Sequence, residues 1–312
     1  MKFLIVGAGA VGGYFGGRLL EKGEDVTFLV RYKRQEQLLD QGLLIESIHG
    51  DFRSIPKTIV EGEKGQFDVI MIGTKSYHLE QAIEAVKPFL HEKTVVIPML
   101  NGFAHLNILK QAFRQDKILG GLCFIESTVT EEGLIQQTSK VHQFMFGEFD
   151  GTYSERVQKI EQAFSNTNAM IKVSDSILQE MWHKYLFITT MSGVTSLFKQ
   201  PVGPIRELAE GKATIKALLK EIATIMRAEG APLAEGIEEI QYERFLSLEA
   251  GMKSSMQRDM EKRGLVEVDH LQGYLLEKAA DHRLKAPILT TVYVNLKLYE
   301  KQLHEEKRWS LL

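Results

Sequence analysis

The glycines of residues 7–12, GAGAVG, follow a strand-like run at residues 2–6 and open a predicted helix. Gly7 permits a tight turn, Gly9 lets backbone approach a pyrophosphate, and Gly12 allows close packing of helix on strand. The first turn of the helix then offers amide donors and a partial positive charge to phosphate. This context predicts a dinucleotide site formed by Gly7, Ala8, Gly9, Ala10, Val11 and Gly12.

Arg31 ends the second strand-like run, residues 25–30. In a dinucleotide-binding βαβ unit this position meets the adenosine ribose, where a carboxylate suits a free 2′-hydroxyl and arginine suits a 2′-phosphate. Lys33 and Arg34 add positive charge close by. The sequence therefore predicts NADP(H) rather than NAD(H).

Lys75 and the pair Asn101-Gly102 follow two further strand-like runs, residues 68–73 and 94–100. Ligands of open parallel sheets bind beyond the carboxyl ends of strands. A solvated lysine and an ordinary Asn-Gly turn are the alternative interpretation, and the two are about equally favoured.

Lys184 lies in the sequence MWHKY and precedes a strongly apolar stretch. A lysine buried at a domain junction can have a pKa suited to proton donation, but one whose ammonium reaches solvent explains the pattern slightly better. Further along, Ser255 and Asp259 are four residues apart, and Glu267 and Asp269 open a helix, where acidic residues commonly compensate the helix dipole. Spacing alone selects none of these four. The histidines are dispersed, with neither HExxH nor a Cys/His cluster, so no metal site is predicted.

Composition restricts the class of protein. The 312 residues allow two domains, and a net charge of −3 offers no broad basic surface for nucleic acid or anionic membranes. The single cysteine, Cys123, excludes an internal disulfide. We find neither an apolar run long enough to span a membrane nor a signal peptide. We therefore expect a cytoplasmic protein.

The order of predicted elements indicates an α/β fold, with an N-terminal Rossmann-type doubly wound parallel sheet followed by an all-helical C-terminal domain. Strand-like runs alternate with helical patterns as far as residues 171–173, and include residues 118–125 and 141–147. Helical periodicity then covers residues 177–199, 205–229, 235–248 and 269–282, and residues 305–312 are predicted to be a frayed tail. The predicted domains are 1–175 and 176–312, with the site in the cleft between them.

Together these motifs resemble the ketopantoate reductase (2-dehydropantoate 2-reductase) family over essentially the whole chain. The other sequence motifs that carry this resemblance are GEFDG at 147–151, W-x-K at 182–184, SSM at 254–256 and VEVD at 266–269. The resemblance implies NADPH-dependent reduction of 2-dehydropantoate to pantoate, for pantothenate and coenzyme A synthesis. It also implies a Rossmann domain followed by a helical domain, and a homodimer.

The resemblance further implies a role for each marked residue. Lys184 would protonate the developing alkoxide, Asn101 would hold nicotinamide and substrate, and Ser255 would bind the substrate. Arg31 and Lys75 would hold the phosphate and ribose end of NADPH. Glu267 would contact the cofactor or order the site near Lys184.

Three positions depart from the family pattern. Pantoate-forming members usually have asparagines four and eight residues after the lysine, where this chain has Ile188 and Ser192, and Met252 replaces a further asparagine. Because lost polar partners change selectivity, one alternative is a paralogous reductase of another 2-oxo acid or ketone. A second alternative, of a different class, is a non-catalytic NADPH-binding sensor. Lys184 and Glu267 argue against a sensor, which would need neither.

Overall fold

A five-stranded parallel sheet forms the core of the first of two compact units in this computed structural model, which describes residues 1–309, with side chains through Glu306. The first unit comprises residues 1–101 and 105–178, and the second comprises residues 102–104 and the chain from 179 onward. The strands are β1 Lys2–Val6, β2 Asp25–Leu29, β3 Leu43–Ser47, β4 Phe52–Ser54, β5 Lys57–Ile59, β6 Val69–Ile72, β7 Val95–Pro98, β8 Gly120–Val129, β9 Ile135–Gly147 and β10 Met170–Val173.

The parallel sheet has the strand order β5-β2-β1-β6-β7. Its central strand β1 is apolar on both faces: Phe3 and Ile5 belong to one buried cluster, and Leu4 and Val6 to another. Side chains alternate between the faces of a strand, so continuous apolar sequence is what a strand covered on both sides requires. The predicted doubly wound parallel sheet is confirmed.

The helices of this unit begin soon after strand ends. They are α1 Ala10–Lys22, α2 Tyr32–Gln41, α3 Leu79–Val86, α4 Ala104–Ala112 and α5 Glu155–Phe164. Helix α1 ends at Gly23, whose φ of 96° is the left-handed conformation that stops a helix most readily at glycine. Its Gly16 lies against β1 and β2, where an added Cβ would be 2.9 Å from the Phe28 ring.

A second sheet has the strand order β10-β9-β3-β4, with β8 paired to β9. The predicted strand-like runs at 118–125 and 141–147 contribute to a long antiparallel hairpin, β8 and β9, and β9 also pairs in parallel with β3 and β10. Only residues 130–134 join the two strands, closed by a Thr130 N to Leu134 O hydrogen bond of 2.9 Å. A connection this short cannot make a parallel crossover.

The described residues of the second unit form helices joined by loops and contain no strand. Its helices are α6 Ile177–Phe198, which begins two residues before the unit, α7 Val202–Glu207, α8 Ala209–Ala228, α9 Ile237–Ser247, α10 Ser255–Glu261, α11 Tyr274–Asp281 and α12 Pro287–Trp309. Within these described helices, none is both long and apolar enough to cross a membrane.

Two predicted helical segments and the predicted C-terminal tail differ from what the structure shows. The segment 205–229 is two helices, because Leu208 has extended backbone between α7 and α8. The segment 269–282 begins with a π-helical turn, Asp269–Gly273, before α11. The predicted frayed tail is wrong for residues 305–309, which continue α12, while residues 310–312 lie outside the described residues.

Candidate active site

The glycine loop between β1 and α1 has the geometry that phosphate binding requires. Gly7 has φ of 91°, and a Cβ on Gly12 would lie 2.3 Å from the Gly7 carbonyl oxygen. In contrast, a Cβ on Gly9 would meet no heavy atom within 4 Å. Gly9 is the N-cap of α1 and no side chain caps the helix. The start of α1 therefore has no side-chain cap and has open space beside Gly9, as an anion site needs.

Arg31 lies at the carboxyl end of β2 and is the N-cap residue of α2. Its guanidinium Nη2 donates to Gln81 Oε1 at 3.0 Å and lies 3.3 Å from His78 Nδ1. Strands β2 and β6 lie on either side of β1, the strand that leads into the glycine loop. Arg31, at the end of β2, therefore contacts residues that follow β6.

Arg34 does not extend toward the ribose-phosphate position that its closeness to Arg31 in the sequence indicated, but toward the glycine loop and the β8–β9 turn. Its Nη2 donates to the carbonyl oxygens of Ala8, at 3.2 Å, and Gly133, at 3.0 Å. Burial lowers the pKa of this guanidinium. Arg34 therefore ties the glycine loop to the β8–β9 turn, while the neighbouring Lys33 is exposed.

Lys75 and Asn101 follow β6 and β7, two strands that are neighbours in the parallel sheet. Both are half-buried. The first unit thus places the glycine loop, Arg31, Lys75 and Asn101 at the carboxyl-end edge of one sheet, where ligands of such sheets bind.

Lys184 lies on α6 in the second unit and is only 6% exposed. Beside it in sequence, Trp182 stacks on Phe103 with ring centroids 3.8 Å apart. Tyr185 donates to the Leu271 carbonyl oxygen at 2.5 Å, and burial raises the pKa of its phenol well above its usual value. Lys184 is therefore a buried lysine whose aromatic neighbours in sequence are firmly packed, not one whose side chain extends along the surface.

His183 has a structural partner. Its Nε2 accepts a hydrogen bond of 3.0 Å from the Ala234 backbone N–H, and burial lowers its pKa. This acceptor role requires neutral imidazole with the proton on Nδ1. His183 thus holds the segment before α9.

Ser255 is exposed at the first position of α10, directly after the capping residue Ser254. Ser254 Oγ accepts from the Gln257 N–H at 3.0 Å and shares a hydrogen bond of 2.8 Å with Thr195 Oγ1 of α6. The structure therefore links Ser255 to the helix that carries Lys184.

Gln272, which no sequence pattern indicated as a site residue, lies in the π-helical turn and is fully buried. Its Nε2 donates to Ser192 Oγ at 3.0 Å, and Ser192 in turn donates to the Thr189 carbonyl oxygen at 3.2 Å. Gln272 Oε1 is buried without a hydrogen-bond partner. The sequence around it, DHLQGYLLEK at 269–278, contains no motif that singles out this glutamine.

Glu267 and Asp269 differ in their surroundings. Glu267 is half-buried, two residues before the start of the π-helical turn. Burial disfavours ionisation of Asp269, yet hydrogen bonds from Lys297, at 2.9 Å, and Tyr293, at 2.8 Å, hold its pKa below its usual value. Asp269 thus ties the π-helical turn to α12. Across residues 1–306, no group of three or more His, Cys, Asp or Glu side chains could hold a metal ion.

Comparison with known families and curated proteins gives consistent matches. Residues 3–151 match the family model described as Ketopantoate reductase PanE/ApbA, and residues 176–300 match its C-terminal counterpart. The chain is 50% identical over 302 residues to an uncharacterized oxidoreductase, YkpB, of Bacillus subtilis, covering 97% of this chain and all of that protein. It is 24% identical over 314 residues to the 2-dehydropantoate 2-reductase of Aquifex aeolicus, covering 98% and 99%.

Solved structures share the fold. A 2-dehydropantoate 2-reductase from Geobacter metallireducens matches with a TM-score of 0.87 at 25% identity, covering 96% of this chain and 99% of that one. A D-mandelate dehydrogenase with NADH and anilino(oxo)acetate matches with a TM-score of 0.89 at 19% identity, covering 97% and 100%. At that identity the second match shows the fold alone.

Proposed function

Because the chain belongs to the ketopantoate reductase family, whose members are oxidoreductases acting on CH–OH and C=O groups, we propose that it reduces 2-dehydropantoate to pantoate with NADPH. The observation that carries the proposal is Lys184, a lysine 6% exposed on α6 at the position the family motif assigns to the proton donor. In this proposal residues 1–175 form the NADP-binding Rossmann domain and residues 176–312 a helical domain like the C-terminal domain of ketopantoate reductases.

The residues of the first unit fit a nicotinamide dinucleotide. The open space above Gly9 and the uncapped start of α1 suit the pyrophosphate. Arg31 and Lys75 would hold the ribose and phosphate end, and Asn101 the nicotinamide end. When bound, the reduced cofactor supplies the hydride, while the protein supplies orientation and charge.

The chain's own groups complete the reaction. Lys184 would donate its Nζ proton to the oxygen of the former ketone, and a positioned acid of this kind contributes about 10²–10⁴-fold to the rate. Asn101 and Ser255 would orient the substrate beside the cofactor. Glu267 would contact the cofactor or order the region of Lys184.

A second candidate is reduction of a different 2-oxo acid, and specific observations favour it. Ile188 is half-buried on the same helix as Lys184, and the hydroxyl of Ser192 is already engaged by Gln272. Neither position offers a free carboxamide to a substrate hydroxyl. The fold also occurs in a D-mandelate dehydrogenase, so the scaffold serves more than one substrate.

NADPH oxidation with 2-dehydropantoate and a panel of 2-oxo acids tests both candidates. Strong selectivity for 2-dehydropantoate supports the first, and a better substrate elsewhere in the panel supports the second. Lys184→Met removes the proton donor at similar length, so we expect turnover to fall about 10²–10⁴-fold while NADPH still binds. Lys199→Met, at an exposed lysine just after α6, is the control. Turnover that survives Lys184→Met contradicts the assigned role.

A further inference from the structure

The contact between Arg31 and His78 concerns the choice between the two nicotinamide cofactors, and so rests on the proposed function. His78 ends the short turn after Lys75 and is the N-cap residue of α3. Arg31 Nη2 lies 3.3 Å from His78 Nδ1, across the strand that bears the glycine loop. Arg31, which in the proposed function contacts the 2′-phosphate of the ribose, thus has a titratable partner, His78, from a different segment of the chain.

The hydrogen-bond chemistry of this pair orients the imidazole. A guanidinium can only donate, so Nδ1 accepts and the neutral ring carries its proton on Nε2. The adjacent Gln81 Oε1 accepts from the same Nη2, at 3.0 Å, and limits the movement of the guanidinium. A phosphate that binds Arg31 would therefore lie next to an imidazole able to donate.

We propose that His78 is a phosphate-binding residue that acts with Arg31 to select a 2′-phosphorylated nicotinamide nucleotide over its unphosphorylated counterpart. In its neutral form His78 orients Arg31. In its protonated form it adds a second positive charge at the phosphate.

The charges around His78 give this selection a pH dependence. In the free protein, burial and the positive charge of Arg31 lower the pKa of His78 below its usual value of 6.5. The neighbouring groups on its own segment are Lys75, the Tyr77 ring at a centroid distance of 4.7 Å, and Glu80, while Glu84 of α3 pairs with Lys87. A bound dianion would offset Arg31 and favour the imidazolium.

The sign of the effect follows from linkage. A pKa that is higher in the complex than in the free protein means that binding takes up a proton, so binding tightens as pH falls through the interval between the two values. The phosphate itself has a second pKa of about 6, and its protonation weakens binding at lower pH. In a variant without the imidazole, only the protonation of the phosphate changes binding with pH. The difference between wild type and such a variant therefore reports the contribution of His78.

Calorimetric binding of adenosine 2′,5′-bisphosphate and of 5′-AMP between pH 5.5 and 8 tests the proposal. Wild type and His78→Gln, which keeps an acceptor for Arg31, are compared with His91→Gln, at a histidine near the amino ends of β6 and β7. We expect wild type to bind the bisphosphate about tenfold more tightly than His78→Gln near pH 6, as one pKa unit of coupling gives. This difference in bisphosphate affinity between wild type and His78→Gln should fall below about twofold at pH 8. The affinity for 5′-AMP should be the same in both proteins.

The possible failures are distinguishable. If wild type prefers the bisphosphate to 5′-AMP but His78→Gln shows the same pH dependence, the role of His78 is overturned while the NADPH proposal stands. If wild type binds the two ligands equally at every pH, both proposals about the 2′-phosphate fail. Proton uptake measured in buffers of different ionisation enthalpy provides an independent check, and the uptake should disappear in His78→Gln.

Discussion

Thr195 of α6 and Ser254, the capping residue of α10, share a buried hydrogen bond of 2.8 Å between their hydroxyl oxygens. Ser254 also accepts from the Gln257 N–H, which begins α10 with Ser255 at its first position. The bond therefore connects the start of α10, and with it Ser255, to the helix of Lys184, although neither Thr195 nor Ser254 needs to contact the substrate.

Thr195→Val removes this bond with little change of shape. We expect the KM for the 2-oxo acid to rise about fivefold, as loss of a hydrogen bond of about 1 kcal/mol implies, with little change in the KM for NADPH. Steady-state kinetics measures both. Thr190→Val is the matched control, because the Thr190 hydroxyl bonds only to the Leu186 carbonyl of its own helix. Equal KM changes in the two variants would show a general effect on α6.

Two glycines of the same loop should respond differently to alanine. Gly12→Ala places a Cβ 2.3 Å from the Gly7 carbonyl oxygen, so we expect a loss of about 1–3 kcal/mol of stability. Gly9→Ala meets no atom within 4 Å, and should leave stability within about 0.5 kcal/mol. If the open space is the pyrophosphate site, Gly9→Ala should still weaken NADPH binding at least about tenfold. Urea unfolding and cofactor titration separate the two effects, and tight NADPH binding by Gly9→Ala would place the phosphates elsewhere.

Ile188→Asn should increase selectivity for a substrate with a hydroxyl group. The position is half-buried, so a carboxamide can replace the isoleucine without a large cavity. We expect the ratio of kcat/KM for 2-dehydropantoate to that for 3,3-dimethyl-2-oxobutanoate, which lacks the hydroxyl, to rise about tenfold. Ile188→Val, which adds no polar group, is the control. An unchanged ratio would mean that this position does not contact the substrate.

His142 should make the first unit less stable in mild acid. Its Nδ1 lies 2.6 Å from the Tyr14 hydroxyl and its ring stacks on His49, with centroids 3.6 Å apart. Burial, with the charges of His49 and Arg18, lowers its pKa to about 4. An unfolded histidine has a pKa of about 6.5, so the unfolded chain binds a proton that the native state does not. The stability that comes from keeping His142 neutral is complete above about pH 6.5 and is lost as pH falls toward 4.

Chemical unfolding at pH 7.5 and pH 5 measures this effect. We expect wild type to lose about 1–2 kcal/mol more than His142→Gln between these pH values, after a discount for solvent screening. His91→Gln, a partly exposed histidine of the same unit, should behave as wild type does. Equal losses in wild type and His142→Gln would show that other groups cause the acid sensitivity.

Local sequence was sufficient to predict the features that depend on local physics. The glycine loop needs a left-handed residue at Gly7 and no side chain at Gly12, and these requirements are visible in the residue types themselves. The apolar run of β1 likewise predicts a strand of a parallel sheet, because a strand buried on both faces is apolar at every position. The helical spacing of apolar residues in the second half predicts the helical unit, because a helix buried on one face repeats its apolar residues every three to four positions.

Contacts between distant residues were decided only by the tertiary structure. The β8–β9 hairpin was visible in the sequence only as two strand-like runs, since apolar alternation does not specify the direction of the partner strand. His78 lies beside Arg31 although 47 positions separate them, and Gln272 bonds to Ser192 across 80. No periodicity or motif encodes such pairs: they depend on how β2 and β6 flank β1, and on how the π-helical turn packs against α6.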